Sequence, residues 1–387
     1  MIAYLNRQGT QLRRYGQTLQ IFEGDRLFQT LFVHRLEMLV LVGNITLTSG
    51  AISLLCREKL ETIFMTTSGR YKGRLEVEES KNVFLTQRQF STLQDPEFCL
   101  QLVKDLVLGK QHNMATLVMR LKRRNAKHVA NELQGLHDKL TQEIKRTQEA
   151  QSVESLRGHE GQATALFYKA MRHGLKKDWG FRSRVRRPPT DPINSVLSFL
   201  STLLFNRMLA AVRQSGLHPG VGYLHALDYG RYSLVLDLVE EFRSLLVETT
   251  TLSLFNLGIL QEEDFYYEEL PKPAPEPTPS RRPEQVCEDP LGKLSENNDD
   301  QFFDAPEQRI QEDGTPEHSA DGKRPCRLTT DARKRVISAF EEKLDSEIQH
   351  PLAERTLTYA ESLVFQARLM REVVEGSRQH YISLQMK

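Results

Sequence analysis

The apolar residues of this chain change their spacing at about residue 80, from short strand-like runs to the three- and four-residue spacing of helices. Before that point, β-forming runs such as 18–22, 27–33, 37–45 and 63–67 are separated by turn residues, which predicts a small β-rich domain. After the helix start signal Asp95-Pro96, the spacing predicts helices at about 126–150, 153–173, 192–214, 233–256, 329–346 and 353–376. The predicted fold class is therefore α+β, with a larger all-α domain following the β-rich one.

Residues 271–323 interrupt the helical pattern. They contain nine of the 16 prolines, 13 acidic residues and six basic residues, with almost no apolar periodicity. Such a composition does not bury enough surface to offset the entropy of ordering, so we expect a disordered insertion. The predicted divisions are a β-rich domain at 1–85, a helical catalytic domain at 86–270, the insertion at 271–325 and C-terminal helices at 326–387 that pack on the catalytic domain.

Outside the insertion, the chain carries a clear excess of positive charge. The whole chain carries a formal net charge of +1 and residues 271–323 carry −7, which leaves +8 on the remainder. Two basic clusters are Arg120, Lys122, Arg123, Arg124 and Lys127, and Arg172, Lys176, Lys177, Arg182, Arg184, Arg186 and Arg187. Dense basic charge favours phosphate backbones through counterion release, although a solvated helix end or loop has the same composition. We select Lys176, Lys177, Arg182, Arg184, Arg186 and Arg187 as candidate DNA-binding residues; the nearby Trp179 and Phe181 could stack on a base or anchor a loop.

Several classes of protein are disfavoured. The four cysteines contain no C-x-x-C pair, so a zinc finger or redox dithiol has no support. The N-terminus lacks the apolar run of a signal peptide, and no long apolar stretch suggests a membrane span. No Walker phosphate loop and no G-x-S-x-G motif is present. We therefore expect a cytoplasmic protein with no membrane association.

Three separate elements carry candidate catalytic residues. In the first, Gly158 and Gly161 flank Glu160 on an amphipathic helix, although each glycine costs a helix roughly 1 kcal/mol. Glycines at such positions allow a phosphate or another backbone to come close; a tight helix crossing with Glu160 in solvent is the alternative. The second element is an apolar stretch ending in His225, which taken alone is more often structural than a ligand.

The third element is an acidic ridge on an apolar helix, formed by Asp237, Glu240 and Glu241. Acids this close to core residues are costly unless a cation lies beside them. A first-turn position, or pairing with Arg231 or Arg243, would also explain the ridge. Taken together, two carboxylates and one imidazole suit a hard or borderline divalent cation, Mg²⁺ or Mn²⁺, which would polarise a phosphodiester.

These residues resemble the CRISPR-associated Cas-one (Cas1) integrases in order and spacing. The resemblance lies in 157–161 (RGHEG), 186–199 (RRPPTDPINSVLSF), 222–225 (GYLH), 229–243 (YGRYSLVLDLVEEFR) and the closing stretch 366–381. It implies an N-terminal β-sandwich-like domain, which would dimerise, and a helical catalytic domain. It also implies Glu160, His225 and Glu240 as metal ligands, with Asp237 supporting the catalytic site or contacting DNA.

The resemblance further implies function and partners. The protein would insert spacer DNA into the CRISPR array through attack of a 3′-hydroxyl on a phosphodiester. It would act as a homodimer with the small Cas-two (Cas2) protein, on the double-stranded DNA of the spacer and the repeat. Two alternatives stay open: a DNA-repair-type metal-dependent nuclease, and a non-catalytic DNA-binding structural protein.

Overall fold

The structure is a computed structural model that describes residues 2–36, 38–67, 71–75, 82–186, 188–268, 324–353 and 355–386. The predicted insertion at 271–323 and the candidate Arg187 lie outside the described residues. The strands are β1 Ile2–Leu5, β2 Thr10–Tyr15, β3 Thr18–Glu23, β4 Arg26–Phe32, β5 Met38–Val42, β6 Ile45–Leu47, β7 Glu61–Met65, β8 Tyr71–Leu75, β9 Phe265–Tyr267, β10 Cys326–Leu328, β11 Glu347–Gln349 and β12 Thr356–Thr358. The helices are α1 Ser49–Arg57, α2 Val83–Leu93, α3 Pro96–Arg124, α4 Lys127–Glu149, α5 Val153–His173, α6 Pro192–Gln214, α7 Ser233–Phe242, α8 Thr249–Asn256, α9 Thr330–Asp345 and α10 Tyr359–Glu375.

The first 75 residues form two four-stranded sheets, in the orders β1-β5-β7-β8 and β4-β3-β2-β6. In the first sheet β1, β5 and β7 run parallel, whereas the second contains the antiparallel meander β2-β3-β4. Leucines from both sheets meet in one apolar core, closed by the buried side of α1. The predicted β-then-α order and the α+β class are confirmed.

Strand β5 attaches the β-rich domain to the helices. Its alternate residues Leu39 and Leu41 face the core between the sheets, while Met38, Val40 and Val42 pack in the main helical core. Because side chains alternate along a strand, a strand covered on both faces is apolar throughout. This explains the near-continuous apolar run seen in the sequence.

The helical domain is built around α3, which packs against α4, α5 and α7. Asp95 caps its first turn by accepting hydrogen bonds from the backbone of Glu97 and Phe98, as the start signal predicted. Two other helices depart from the prediction. The stretch 233–256 is divided into α7, a π-helical turn Arg243–Glu248 and α8. Helix α10 begins only at Tyr359, because Thr358 and Glu361 form a capping box behind β12.

Helix α6 departs from the sequence interpretation, which found no apolar stretch long enough to suggest a membrane span. Among the described residues it is the one helix long and apolar enough to cross a bilayer by length and composition, with 67% of its most apolar window buried in the protein. That burial is the pattern of a core helix.

The limits assigned to the four predicted segments of the chain stay predictions.

Candidate metal centre and DNA-binding surface

Two of the predicted ligands meet at a single positive charge. Glu160 projects from α5 and Glu240 from α7, and both carboxylates contact the ammonium of Lys110 on α3. Lys110 Nζ lies 2.5 Å from Glu240 Oε2 and donates a hydrogen bond to Glu160 Oε1. Lys110 and Glu240 are 4% and 5% exposed, so this cluster is nearly closed to water. Residues that are 80 positions apart in the sequence therefore share one cation.

The electrostatics of this cluster favour the charged forms of its members. Burial would lower the pKa of Lys110, but Glu160 and Glu240 reverse the effect and its pKa is raised. Burial would likewise raise the pKa of Glu240, but Lys110, Arg243 and His225 lower it to about 2. Both groups are therefore ionised at neutral pH, and His225 is close enough to Glu240 to act on its charge.

Asp237 holds the third predicted ligand, His225, in place. It is fully buried, and its carboxylate accepts hydrogen bonds from the backbone N–H groups of Tyr223, Leu224 and His225. It also contacts His225 Nδ1 at 2.8 Å. A carboxylate paired with one ring nitrogen orients the other nitrogen, Nε2, for a metal. Asp237 thus fixes the His225 segment, and its full burial disfavours the direct DNA contact that the sequence left open.

Gly222 allows this segment to lie against the start of α7. A Cβ at this position would lie 2.5 Å from the Ser233 carbonyl carbon and 2.7 Å from Leu234 N. The same approach lets Leu234 N–H donate to Pro219 O and Ser233 Oγ donate to Ala226 O. The glycine in the family-like GYLH motif therefore has a steric role in placing His225.

We expect Gly222→Ala to lower the free energy of unfolding by roughly 1–3 kcal/mol, because backbone atoms must move to admit the methyl group. Urea denaturation measures the effect. Gly158→Ala is the matched control, since a Cβ there meets nothing within 4 Å. That control should raise helix stability by about 1 kcal/mol. Equal stability of Gly222→Ala and the wild type would contradict the steric role.

The glycines beside Glu160 face open space. A Cβ built at Gly158 or at Gly161 meets no atom within 4 Å in the described chain. The alternative of a tight helix crossing is therefore wrong. Arg157, on the same turn, donates from Nε to Leu224 O at 2.7 Å and thereby links α5 to the His225 segment.

Arg243 pairs with the carboxylate oxygen of Glu240 that Lys110 does not contact most closely. Its Nη1 lies 3.4 Å from Glu240 Oε1, and its Nη2 donates to the Tyr168 hydroxyl at 3.3 Å. Tyr168 in turn donates to Glu248 at 3.1 Å. Arg243 begins the π-helical turn, a distortion that is frequent at functional sites. Of the two basic partners suggested by the sequence, Arg243 is therefore the one that pairs with the acidic ridge.

Glu241 faces away from the cation and fixes the C-terminal tail. It is fully buried and accepts hydrogen bonds from the Tyr381 hydroxyl at 2.5 Å, Gln366 Nε2 and Leu384 N–H. Burial is the largest influence on this carboxyl and raises its pKa to about 7. The three acids of the predicted ridge thus have three different environments.

The stability provided by protonated Glu241 is present below its unfolded pKa of about 4.5 and is lost as the pH rises through about 7. We expect Glu241→Gln to remove this dependence. The difference in the free energy of unfolding, variant minus wild type, should rise by roughly 2–3 kcal/mol as the pH increases from about 5 to about 8. Urea unfolding at both pH values tests this. A difference between the two proteins that does not change with pH would contradict it.

The candidate DNA-binding residues divide into exposed and buried ones. Arg184 is 7% exposed and donates to Asn194 Oδ1 and Ser198 Oγ, so its assignment to DNA is wrong. Phe181 is 1% exposed and is not a stacking platform. Trp179 packs edge-on against Phe255 with ring centroids 4.8 Å apart, which makes it a loop anchor.

The exposed candidates are Lys176, Lys177, Arg182 and Arg186. Lys177 pairs with Glu262 at 2.5 Å, and Arg182 pairs with Asp178 at 3.0 Å. Surface pairs of this kind contribute little and exchange readily for a phosphate. Their DNA contacts stay a prediction. The first basic cluster lies around the C-terminal end of α3, where positive charge also complements the helix dipole.

The residues around Lys110 would suit a divalent cation if that cation took the place of the ammonium. Within the described ranges, no three His, Cys, Asp or Glu side chains are arranged to hold a metal ion. The Lys110 nitrogen lies between the two carboxylates. The buried Glu240 Oε2 atom has this ion pair but accepts no well-aligned hydrogen bond. Two carboxylates and an imidazole suit Mg²⁺ or Mn²⁺. The residues fit a cation that replaces the ammonium between Glu160 and Glu240.

Lys110 is the site residue that the sequence interpretation missed. It lies on α3 among the buried positions Leu106, Val107, Met114 and Leu117, on the apolar side of the helix. A lysine at such a position needs an acidic partner, because an unpaired buried ammonium is very costly. That spacing was the available signal, but it does not identify the partner.

Comparisons with known proteins agree on one family. Residues 3–272 match the family model described as CRISPR associated protein Cas1. A "CRISPR-associated endonuclease Cas1 3" of Thermus thermophilus is 31% identical, over 98% of this chain and 93% of its own length.

Two solved structures share the fold. A casposase bound to an integration product has a TM-score of 0.75 at 17% identity, covering 100% of this chain and 94% of that one. A chain of a Cas6-RT-Cas1–Cas2 complex has a TM-score of 0.73 at 20% identity, and this protein covers 36% of its length. At these identities the likeness concerns the fold alone.

Proposed function

The chain belongs to the Cas1 family of CRISPR-associated proteins, and on that basis we propose that it is a metal-dependent DNA integrase and endonuclease that inserts spacer DNA into a CRISPR array. The relative from Thermus thermophilus is named an endonuclease, which supports a nuclease activity here. The convergence of Glu160 and Glu240 on one buried cation position, close to His225, is the observation that carries the proposal.

We assign Glu160, Glu240 and His225 Nε2 as the ligands of a single Mg²⁺ or Mn²⁺ ion. When bound, such an ion polarises the phosphodiester and lowers the barrier to attack by a hydroxyl. Asp237 keeps His225 in the required orientation through four contacts, and Arg243 keeps Glu240 in place through its Oε1 oxygen. These contacts support a site whose ligands are held rigidly before DNA arrives.

DNA would approach from the side of α5 that carries Gly158 and Gly161. A Cβ built at either position meets no neighbouring atom within 4 Å, so a sugar–phosphate backbone can come close to this turn of α5. The 3′-hydroxyl of the spacer would lose its proton to water and attack a phosphorus atom of the repeat. The P–O3′ bond of the repeat would then break, and the released 3′-oxygen would take up a proton.

We further propose a homodimer that pairs through the β-rich domain and works with Cas2 in the cytoplasm. Strand β4 is an edge strand, and its Leu27, Phe28 and Phe32 side chains are 47%, 50% and 48% exposed. Exposed apolar side chains on an unpaired edge are typical of a protein interface. The likeness to a chain from a Cas1–Cas2 complex supports the Cas2 partner. Light scattering gives the mass that tests the dimer.

The proposed reaction is tested with the full-length chain, its Cas2 partner, a short DNA duplex and a plasmid carrying the repeat. We expect junction sequencing to find the duplex joined through its 3′ ends at the repeat, only with Mg²⁺ or Mn²⁺ present. Cleavage without joining would favour the repair-type nuclease. DNA binding with neither reaction would favour a structural protein, and either result contradicts the integrase.

A further inference from the structure

Lys110 is the member of the catalytic cluster that the proposed reaction leaves without a role. It is 4% exposed, on the central helix α3, and it touches both carboxylates assigned to the metal. Arg243, the second basic side chain at Glu240, pairs with its other oxygen, Oε1, and with Glu248. The Lys110 ammonium therefore has the position that a cation shared by these carboxylates would occupy.

The buried Glu240 carboxylate and the partly buried Glu160 carboxylate beside it would destabilise each other without a compensating charge. Lys110 provides that charge, because its ammonium lies 2.5 Å from Glu240 Oε2 and also contacts Glu160. A divalent cation bound by the same oxygens would lie about 2 Å from each of them. An ammonium and a metal ion do not fit between the same two oxygens, and the like charges repel each other. The four-carbon stem of lysine is flexible enough to move the ammonium away.

We propose that Lys110 is an internal competitor of the metal ion: it occupies the position between Glu160 and Glu240 in the metal-free protein and leaves it when the metal binds. The inference rests on the proposed metal site. It assigns Lys110 two effects, which are to hold the ligands together before metal binding and to weaken the affinity for metal. Metal binding is then an exchange of one cation for another.

Arg243 offers the comparison that separates this exchange from a general effect of nearby charge. It also pairs with Glu240, but through the other oxygen, Oε1, at 3.4 Å. Its other contacts are with the Tyr168 hydroxyl and with Glu248. Removing Arg243 takes a positive charge from the neighbourhood without clearing the position between the carboxylates.

The test is calorimetry with MnCl₂ alone on the full-length protein and on Lys110→Met, Lys110→Arg and Arg243→Gln. We expect Lys110→Met to bind Mn²⁺ at least about tenfold more tightly than the wild type. Lys110→Arg should bind more weakly, because a guanidinium grips carboxylates with two parallel hydrogen bonds. Arg243→Gln should change the affinity less than Lys110→Met. An unchanged or weaker affinity in Lys110→Met, or an equal gain in Arg243→Gln, would overturn the proposal.

Lys110→Met removes the ammonium that the two carboxylates share and is expected to melt at a lower temperature than the wild type without metal. Its melting temperature is therefore also measured with millimolar MnCl₂, which should raise it by more than it raises that of the wild type. A variant that stays unfolded in MnCl₂ would count against the exchange.

Glu240→Gln separates failure of this inference from failure of the metal site itself. If the wild type binds Mn²⁺, Glu240→Gln does not, and Lys110→Met shows no gain, only the role of Lys110 is wrong. If the wild type and Glu240→Gln behave alike, the proposed metal site is wrong as well.

Discussion

Glu160→Ala is expected to reduce strand transfer on a half-site DNA substrate by at least about 1,000-fold, because metal ions supply several kcal/mol of transition-state stabilisation. Glu160 carries one of the two carboxylates at the cation position. Its side chain is 21% exposed, so truncation disturbs the core less than a change at the more buried Glu240. DNA affinity should be unchanged, since Glu160 offers no positive charge to phosphates.

The matched control for Glu160→Ala is Glu154→Ala on the same helix. Glu154 is 80% exposed at its side chain, and its weak pairing with Arg157 spans 3.9 Å. Its removal should leave transfer within about twofold of the wild type, because exposed pairs contribute little. Gel assays of transfer and fluorescence anisotropy of DNA binding measure both quantities. Normal transfer by Glu160→Ala, or loss of transfer in the Glu154 control, would contradict the assignment.

Asp237→Asn is expected to lower both stability and metal affinity. The carboxylate accepts three backbone hydrogen bonds and contacts His225 Nδ1, all at full burial. An amide has one acceptor oxygen, and its NH₂ group would face backbone donors that are then left unpaired. Hydrogen bonds to a buried charge are each worth about 1.5–3 kcal/mol, so we expect a loss of roughly 3 kcal/mol or more in the free energy of unfolding.

The effect of Asp237→Asn on the metal follows from the orientation of His225. Changing a residue that orients a metal-binding histidine typically weakens affinity by about 10–100-fold. Asp228→Asn is the control, since Asp228 is an exposed acid three residues after His225. Its stability should stay within about 0.5 kcal/mol of the wild type. Urea unfolding and Mn²⁺ calorimetry report the two effects. Wild-type values of both in Asp237→Asn would refute its positioning role.

The sequence predicted the parts of the fold that depend on local spacing. The β-rich start, α4, α5 and α6 follow from periodicity and helix start signals, and the observed bounds of these three helices agree with the predicted ones to within one residue. The π-helical turn at Arg243–Glu248 was not predictable in this way. The first residue of this turn, Arg243, contacts Glu240, Tyr168 and Glu248, and such tertiary contacts are not visible in local spacing.

Burial limited the prediction of the candidate site. Arg184 and Phe181 matched a DNA-binding composition, yet both point into the core, because composition does not specify which side of a loop packs inward. Lys110 was missed because its composition and spacing do not resemble those of a functional site. One lysine among apolar residues is inconspicuous until the acids from α5 and α7, 50 and 130 positions further along the chain, are placed against it.

The central claim is that Glu160, His225 and Glu240 bind one divalent cation. A crystal structure of the protein with MnCl₂, with anomalous diffraction recorded at the manganese edge, tests it most directly. We expect one strong anomalous peak about 2 Å from a carboxylate oxygen of Glu160, from His225 Nε2 and from a carboxylate oxygen of Glu240. A peak bound by other residues, or Lys110 still between the two carboxylates in crystals saturated with Mn²⁺, would contradict the account.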